Sequence, residues 1–174
     1  MASMYMRIDG IDTIKGAATI GDIGSKKGFF AIDNMSWGAV RGVSVDVGNA
    51  NNADQGMVAL GELNITRTSD GASPHLTTFL FAPGTEGKTI DLLLTKPSRT
   101  GDGADPYLII TLEKARMSNY NVSCSDGGLP GESFSMTYTV VSLVYYNEND
   151  GGEIEKGDTI KYDVTTAKLE SKAN

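Results

Sequence analysis

"ESFSMTYTVVSLVYYN", residues 132–147, alternates in two-residue steps and then changes phase. From Phe134 to Val140 the even positions are apolar or aromatic: Phe134, Met136, Tyr138 and Val140. The odd positions are hydroxyls: Ser133, Ser135, Thr137 and Thr139. A period of two is the mark of a strand with one dry face and one wet face. After Val140 and Val141 the odd positions Val141, Leu143 and Tyr145 turn apolar, while Val144 and Tyr146 keep the even side apolar too. Such a slip reads as a β-bulge that re-aims the strand. A strand end that is apolar on both sides needs two covers, and one core supplies only one.

The same short period runs through most of the chain. "YMRID" near the start reads as a first strand, and "KKGFFAIDNMSWGAV" (26–40) as a second. "RGVSVDV" (41–47) sets Val43, Val45 and Val47 opposite Ser44 and Asp46. "GNANNADQG" (48–56) is turn chemistry, rich in residues that tolerate positive φ. "MVALGELNITRT" (57–68) is the returning strand, so 41–68 reads as a hairpin with a long polar tip. Further strands follow in "KTIDLLLTK" (88–96), "YLIITLEKARMSNYNVS" (107–123) and "DTIKYDV" (158–164). In the second of these, Leu108, Ile110 and Leu112 share a face.

One stretch breaks the rule. In "SDGASPHLTTFLFAPG" (69–84), Ser73 is placed as an N-cap, Pro74 fits the first helical position, and Leu76, Phe79 and Leu80 form one apolar stripe. Pro83-Gly84 ends it. Many strands plus one short helix predict a mainly β fold, a compact antiparallel barrel or sandwich with the helix on its flank. At 174 residues, with neither an internal repeat nor a linker, a single domain over 1–174 is expected, with a frayed tail from about 165.

Composition narrows the partners. The formal charge of −7 disfavours nucleic acid and anionic membrane surfaces, and Lys26-Lys27 is the one adjacent basic pair. No apolar run approaches the roughly 20 residues that span a bilayer, so membrane insertion is not expected. "MASMYMRIDG" has no apolar core, so no secretory leader is expected. Cys124 is the only cysteine, which rules out an intrachain disulfide.

No motif supports catalysis, a cofactor or a metal. "GTEGKT" (84–89) ends like a phosphate loop, but Ala82 stands where the first glycine belongs and a strand pattern follows. His75 is the sole histidine and lacks the partners of a catalytic base or a zinc site. "GDGAD" (101–105) and "NENDGGE" (147–153) carry oxygen ligands without calcium-loop spacing and read as hairpin tips. Cys124 reads as a plain small residue.

The order and spacing of several stretches resemble the haemolysin-coregulated protein (Hcp) family, the inner-tube component of type VI secretion systems. "MYMRIDGI" looks like that family's first strand, and "MSWG" (35–38) resembles its Ser-Trp-Gly strand end. "SDGASPHLTTFLFAPG" is similar to its Ser-Pro-capped helix, and "YLIITLEKARMSNYNVS" to its central strand pair. "GG" before "ESFSMTYTVVSLVYY" looks like its penultimate long strand, and "NENDGGE" like the turn before its last. Gly16-Ala17-Ala18 departs from the family's Gly-Glu-Ser, and the composition of "GAATIGDIGSKKG" is unusual for it.

The resemblance implies a structural protein and no enzyme. It implies a β-barrel that assembles as a homohexameric ring, and rings that stack into a tube tipped by a spike protein and propelled by a contractile sheath. Small effector proteins ride in the lumen. The subunit is cytoplasmic before assembly and leaves the cell without a signal peptide. Ser36, in the Ser-Trp-Gly match, is expected on the lumen side near cargo, against the plain alternative of a solvent-facing serine. The hairpin residues Val43, Val45, Val47, Asn49, Asn51 and Asn52 are expected to pack on a neighbour and influence stacking. Leu143 and Tyr145 are expected at a subunit interface, unless the helix covers both faces of that strand within the chain. Trp37 reads as a core anchor. Two other readings stay open: a phage-type tail-tube subunit, and a monomeric β-barrel that binds a ligand. No domain-sized segment follows residue 164, so no fused toxin is expected.

Overall fold

The computed structural model describes residues 3–14, 26–45, 52–54, 56–99, 101 and 103–173. The stretch that opened the sequence reading is two strands, not one. β11 (Gly131–Thr137) runs antiparallel to β8 (Leu63–Thr68), with Phe134 opposite Ile65. β12 (Val140–Glu148) runs antiparallel to β13 (Ile154–Asp163), with Leu143 opposite Ile160. Between them Tyr138 and Thr139 leave the ladder and the chain turns a corner. The expected bulge at Val140-Val141 is therefore corrected to a strand break two residues earlier. Phe134 and Met136 point into the core before the corner, and Val141 and Leu143 do so after it. The corner is held by Thr139 N–H on the Glu113 carbonyl (3.1 Å) and Val164 N–H on the Thr139 carbonyl (2.8 Å).

β10 (Ala104–Ser123) carries both halves of this corner. Its first part pairs with β12, Ile110 opposite Leu143, and with β9 (Lys88–Pro97). Its second part pairs with β11, Tyr120 opposite Phe134. The two parts bury opposite parities: Ile110 and Leu112, then Ala115 and Met117. The switch sits at Lys114, whose φ is 52°, where the register with β9 shifts. Gly87 closes against this point. Its φ is 76°, and a Cβ there would lie 2.6 Å from the Ala115 carbonyl oxygen, so only glycine fits.

A second corner closes the other side. The segment read as one strand over 26–40 is interrupted at Asp33. β2 (Phe30–Ile32) pairs with β1 (Ser3–Ile8), which lies on β9, whereas β3 (Asn34–Ser36) pairs with β8. The two layers, linked through the chain at Asp33 and at Lys114, face each other as an antiparallel barrel around a buried cluster that includes Phe30, Phe79, Phe134, Met6 and Leu92. Each such side chain contributes about 1.5–3 kcal/mol on burial.

The hairpin is present in two short pieces, β4 (Ala39–Val40) with β7 (Ala59–Leu60) and β5 (Val43–Val45) with β6 (Asn52–Asp54), so that 52–54, expected in the polar turn, is strand, and 46–51 lie outside the described residues. Its returning arm is broken at Gly61, whose N–H donates to the Gly38 carbonyl at 2.8 Å. The end of the chain, expected to fray, carries β14 (Lys168–Ser171) on β13.

α1 spans Ser73–Phe81 and buries Leu76 and Phe79, as its stripe predicts. Its N-cap is Ala72 rather than Ser73. The Ser73 hydroxyl instead accepts from the Asp70 N–H (3.1 Å), and Asp70 Oδ1 accepts from the Ala72 N–H (2.8 Å). Beneath this entry lies a buried ionic cluster. Arg67 Nη1 donates to Glu132 Oε2 at 2.7 Å, Nη2 meets Asp70 Oδ1 at 2.5 Å, and the guanidinium lies 5.1 Å from the Phe30 ring centre. Tyr120 and Ser69 donate to Glu132 Oε1 at 2.5 and 3.0 Å. Burial pushes Glu132 up, but the hydroxyls of Ser73, Tyr120 and Ser69 and the Arg67 guanidinium outweigh it, so the carboxyl titrates below its ordinary value. Burial, and then the neighbouring carboxylate, push Tyr120 up to about 12.

Candidate interaction surface

Alternation in β3, β8, β11 and the far half of β10 puts one set of side chains into the core and the other outside. The registers align the outward set in rows. Asn34 stands opposite Thr66, Thr66 opposite Ser133, and Ser133 opposite Asn121. The next row is Ser36, Asn64, Ser135 and Asn119. Every member of both rows is an uncharged hydroxyl or amide. Ser135 Oγ donates to Asn64 Oδ1 at 2.5 Å, and the Asn64 amide donates to the Glu62 carbonyl at 3.3 Å, which fixes Asn64. In the described residues this four-stranded layer ends on unpaired margins: β3 on one side and residues 117–123 of β10 on the other.

Ser36 lies at the end of the second row and is exposed. It lines an open hollow of about 390 Å³ with Trp37, Gly38, Ala39, Val40, Gly61, Glu62 and Asn64. Trp37, read as a core anchor, packs partly against the core, and its indole N–H donates to the Tyr138 hydroxyl at 2.5 Å. Tyr138 donates in turn to the Gly61 carbonyl at 2.8 Å. This chain of bonds ties the hollow to the corner between β11 and β12.

The hairpin residues divide. Val43 is 55% exposed, and Val40 and Met57 nearby are 71% and 77% exposed. Val45 and Asn52 are paired across β5 and β6. Val47, Asn49 and Asn51 lie outside the described residues. On β12, Leu143 packs inside the chain's own core at 8% exposed, whereas Tyr145 is 41% exposed. The structure thus does not bring Leu143 and Tyr145 to one surface. Val122 and Leu129, at the turn end of the β10–β11 hairpin, are also exposed. The paired rows were not recognised from sequence, although "LNITRT" and "SNYNVS" carry the alternation that builds them.

Other chemistry-bearing residues are scattered. His75 sits on α1 and Cys124 just beyond β10, the latter exposed. Among the described residues, no group of three or more His, Cys, Asp or Glu is placed to hold a metal. In the 147–153 turn, Asn149 Oδ1 accepts from the N–H groups of Gly151 and Glu153, both at 3.0 Å, so that oxygen serves the turn itself. No described helix is long and apolar enough to cross a membrane.

Comparison with known proteins gives the surface its context. No curated sequence matches. Among solved structures, one of a type six secretion system protein superposes with a TM-score of 0.80 at 20% identity, covering 98% of this chain and 100% of the other. Hcp1 from Salmonella typhimurium superposes at 0.66 with 19% identity, covering 97% and 98%. The secreted protein Hcp3 from Pseudomonas aeruginosa superposes at 0.52 with 16% identity, covering 91% and 98%. At these identities the likeness carries the fold. The sequence itself matches the family model "Type VI secretion system effector, Hcp" over residues 5–145, so the chain belongs to the Hcp family of type VI secretion system proteins.

Proposed function

We propose that this Hcp protein is a tube subunit that forms a cyclic hexamer, and that its rings stack into a tube which carries small effector proteins. The observation that supports this reading is the four-stranded layer whose margins, β3 and residues 117–123 of β10, are unpaired among the described residues. An open margin is a liability in a soluble monomer unless something covers it. A ring covers every margin at once, because each subunit offers one edge to the neighbour on its left and the other to the neighbour on its right. The outward rows of Asn, Ser and Thr then line the lumen, where Ser36 touches cargo. The hairpin, with Val43 and Met57 exposed, packs on a neighbouring subunit and guides stacking. Tyr145 serves the subunit interface, while Leu143 acts from beneath it through the core. In this role the subunit works with a spike protein and a contractile sheath, leaves the cell with the tube, and performs no catalysis.

The reading is tested by light scattering on a sizing column, with electron micrographs of the same peak. Annular particles of hexamer mass are expected. A variant with Asn119 and Asn121 changed to Asp places negative charge along one margin and at one end of each outward row. It is expected to keep its fold by circular dichroism while losing ring mass or cargo; unaltered behaviour in both respects contradicts the assignment of that layer.

A further inference from the structure

We propose that the hollow beside Trp37 is a receptor for an arginine side chain of a partner polypeptide. Three properties point to that chemistry. First, the surrounding rows carry no charge, yet the hollow itself holds a carboxylate, Glu62. Glu62 Oε2 accepts from the Ser118 hydroxyl at 3.0 Å; its other oxygen has no partner, and the residue has no ion pair, among the described residues. An exposed carboxylate with a free oxygen invites a donor that is both cationic and forked. Second, Trp37 lines the same hollow. An indole face is the best aromatic partner for a guanidinium. Its N–H is already committed to Tyr138, so the ring is held in one orientation before any ligand arrives, which lowers the cost of binding. Third, the floor between them is backbone. Gly38 and Gly61 meet through a 2.8 Å hydrogen bond, and a Cβ on Gly61 would lie 3.0 Å from the Gly38 oxygen. A floor without side chains leaves room for a planar group, and Val40 and Ala39, which also line the hollow, offer apolar surface to the arginine methylenes.

The rows explain why such a point matters. Exposed hydroxyls and amides exchange one set of hydrogen bonds with water for another, so they hold a partner weakly. Glu62 beside Trp37 is the feature of that face able to add an anchor. The hollow lies on the face assigned above to cargo, and in that reading the partner is a carried protein with an exposed arginine. The site itself needs no ring.

Trp37 is the only tryptophan in the chain, so its fluorescence reports the hollow without a label. The probe is acetyl-Gly-Arg-Gly-amide, compared with the same peptide bearing citrulline, which keeps the shape and removes the charge, and with a leucine version. A saturable change in Trp37 emission with the arginine peptide is expected. Affinity should fall roughly three- to tenfold with citrulline, with leucine, and in Glu62→Gln. No saturable change up to tens of millimolar arginine peptide overturns the proposal, as does equal binding of citrulline or leucine. Particle mass on the same samples reads the ring separately, so loss of the site and loss of the tube reading are distinguishable.

Discussion

Glu132 shows how one side chain ties the barrel together. It sits on β11 opposite Arg67 on β8, with both side chains 1% exposed, and it accepts from Tyr120 on β10 and Ser69 before α1. Removing one member leaves the other charge buried. Glu132→Gln is expected to cost about 3 kcal/mol in urea unfolding at neutral pH. The pH dependence follows from the direction of the shift. The folded carboxyl titrates below its ordinary 4.5, so its contribution is intact above that value and disappears as pH falls through the lower folded one. Wild type should lose stability on that acid limb, and the variant should show a shallower loss. Tyr120 acts at the other end: its pKa rises from 10 to about 12, so its contribution holds below pH 10 and is lost between the two values. Tyr120→Phe should remove that alkaline loss. Leu143 and Tyr145 make a second contrast on β12. Leu143→Asp puts a charge into the core and should abolish the cooperative unfolding transition. Tyr145→Asp should leave circular dichroism unchanged and act only on assembly. A Tyr145→Asp protein that keeps its full ring mass removes that residue from the interface.

The elements show what local sequence can and cannot specify. The helix was legible because Pro74 fixes its start and Leu76, Phe79 and Leu80 fix its face. Its cap departs from the sequence pattern because the Ser73 hydroxyl turns back to accept from the Asp70 N–H, while Asp70 holds the Ala72 N–H. The alternation in 132–147 located the change of face correctly to within two residues. It could not tell a bulge from a corner, since that depends on which strands lie alongside, and β8, the partner of β11, is far away in sequence. The same limit applies to 26–40, where Asp33 divides one apparent strand between two layers. The functional face was hidden for the same reason: its rows exist only once β3, β8, β11 and β10 are in register. Gly87 and Gly84 allow a direct test of the corner in β10. Both have positive φ, 76° and 83°, but a Cβ on Gly87 meets the Ala115 carbonyl and one on Gly84 meets nothing within 4 Å. Gly84→Ala should cost about 1 kcal/mol from backbone strain alone, and Gly87→Ala about 2–3 kcal/mol. Equal costs would mean that the turn does not rest on the switch at Lys114.

Across the whole molecule, charge and exposed apolar surface are segregated. The chain carries −7, yet the outward rows of one layer carry none, while Val40, Val43 and Met57 lie on the β4–β7 and β5–β6 hairpin and Val122 and Leu129 at the turn between β10 and β11. Apolar tips, and strand margins that are bare among the described residues, are liabilities in a monomer. The proposed stacked ring would cover all of them. The decisive measurement is the mass of the purified protein in solution, taken over a range of concentrations together with images of the same particles. Annular hexamers are expected, with a mass that falls when the margin of β10 is charged. A monodisperse single chain at every concentration would contradict the ring, because β3 and residues 117–123 of β10, unpaired among the described residues, would then have no partner across it.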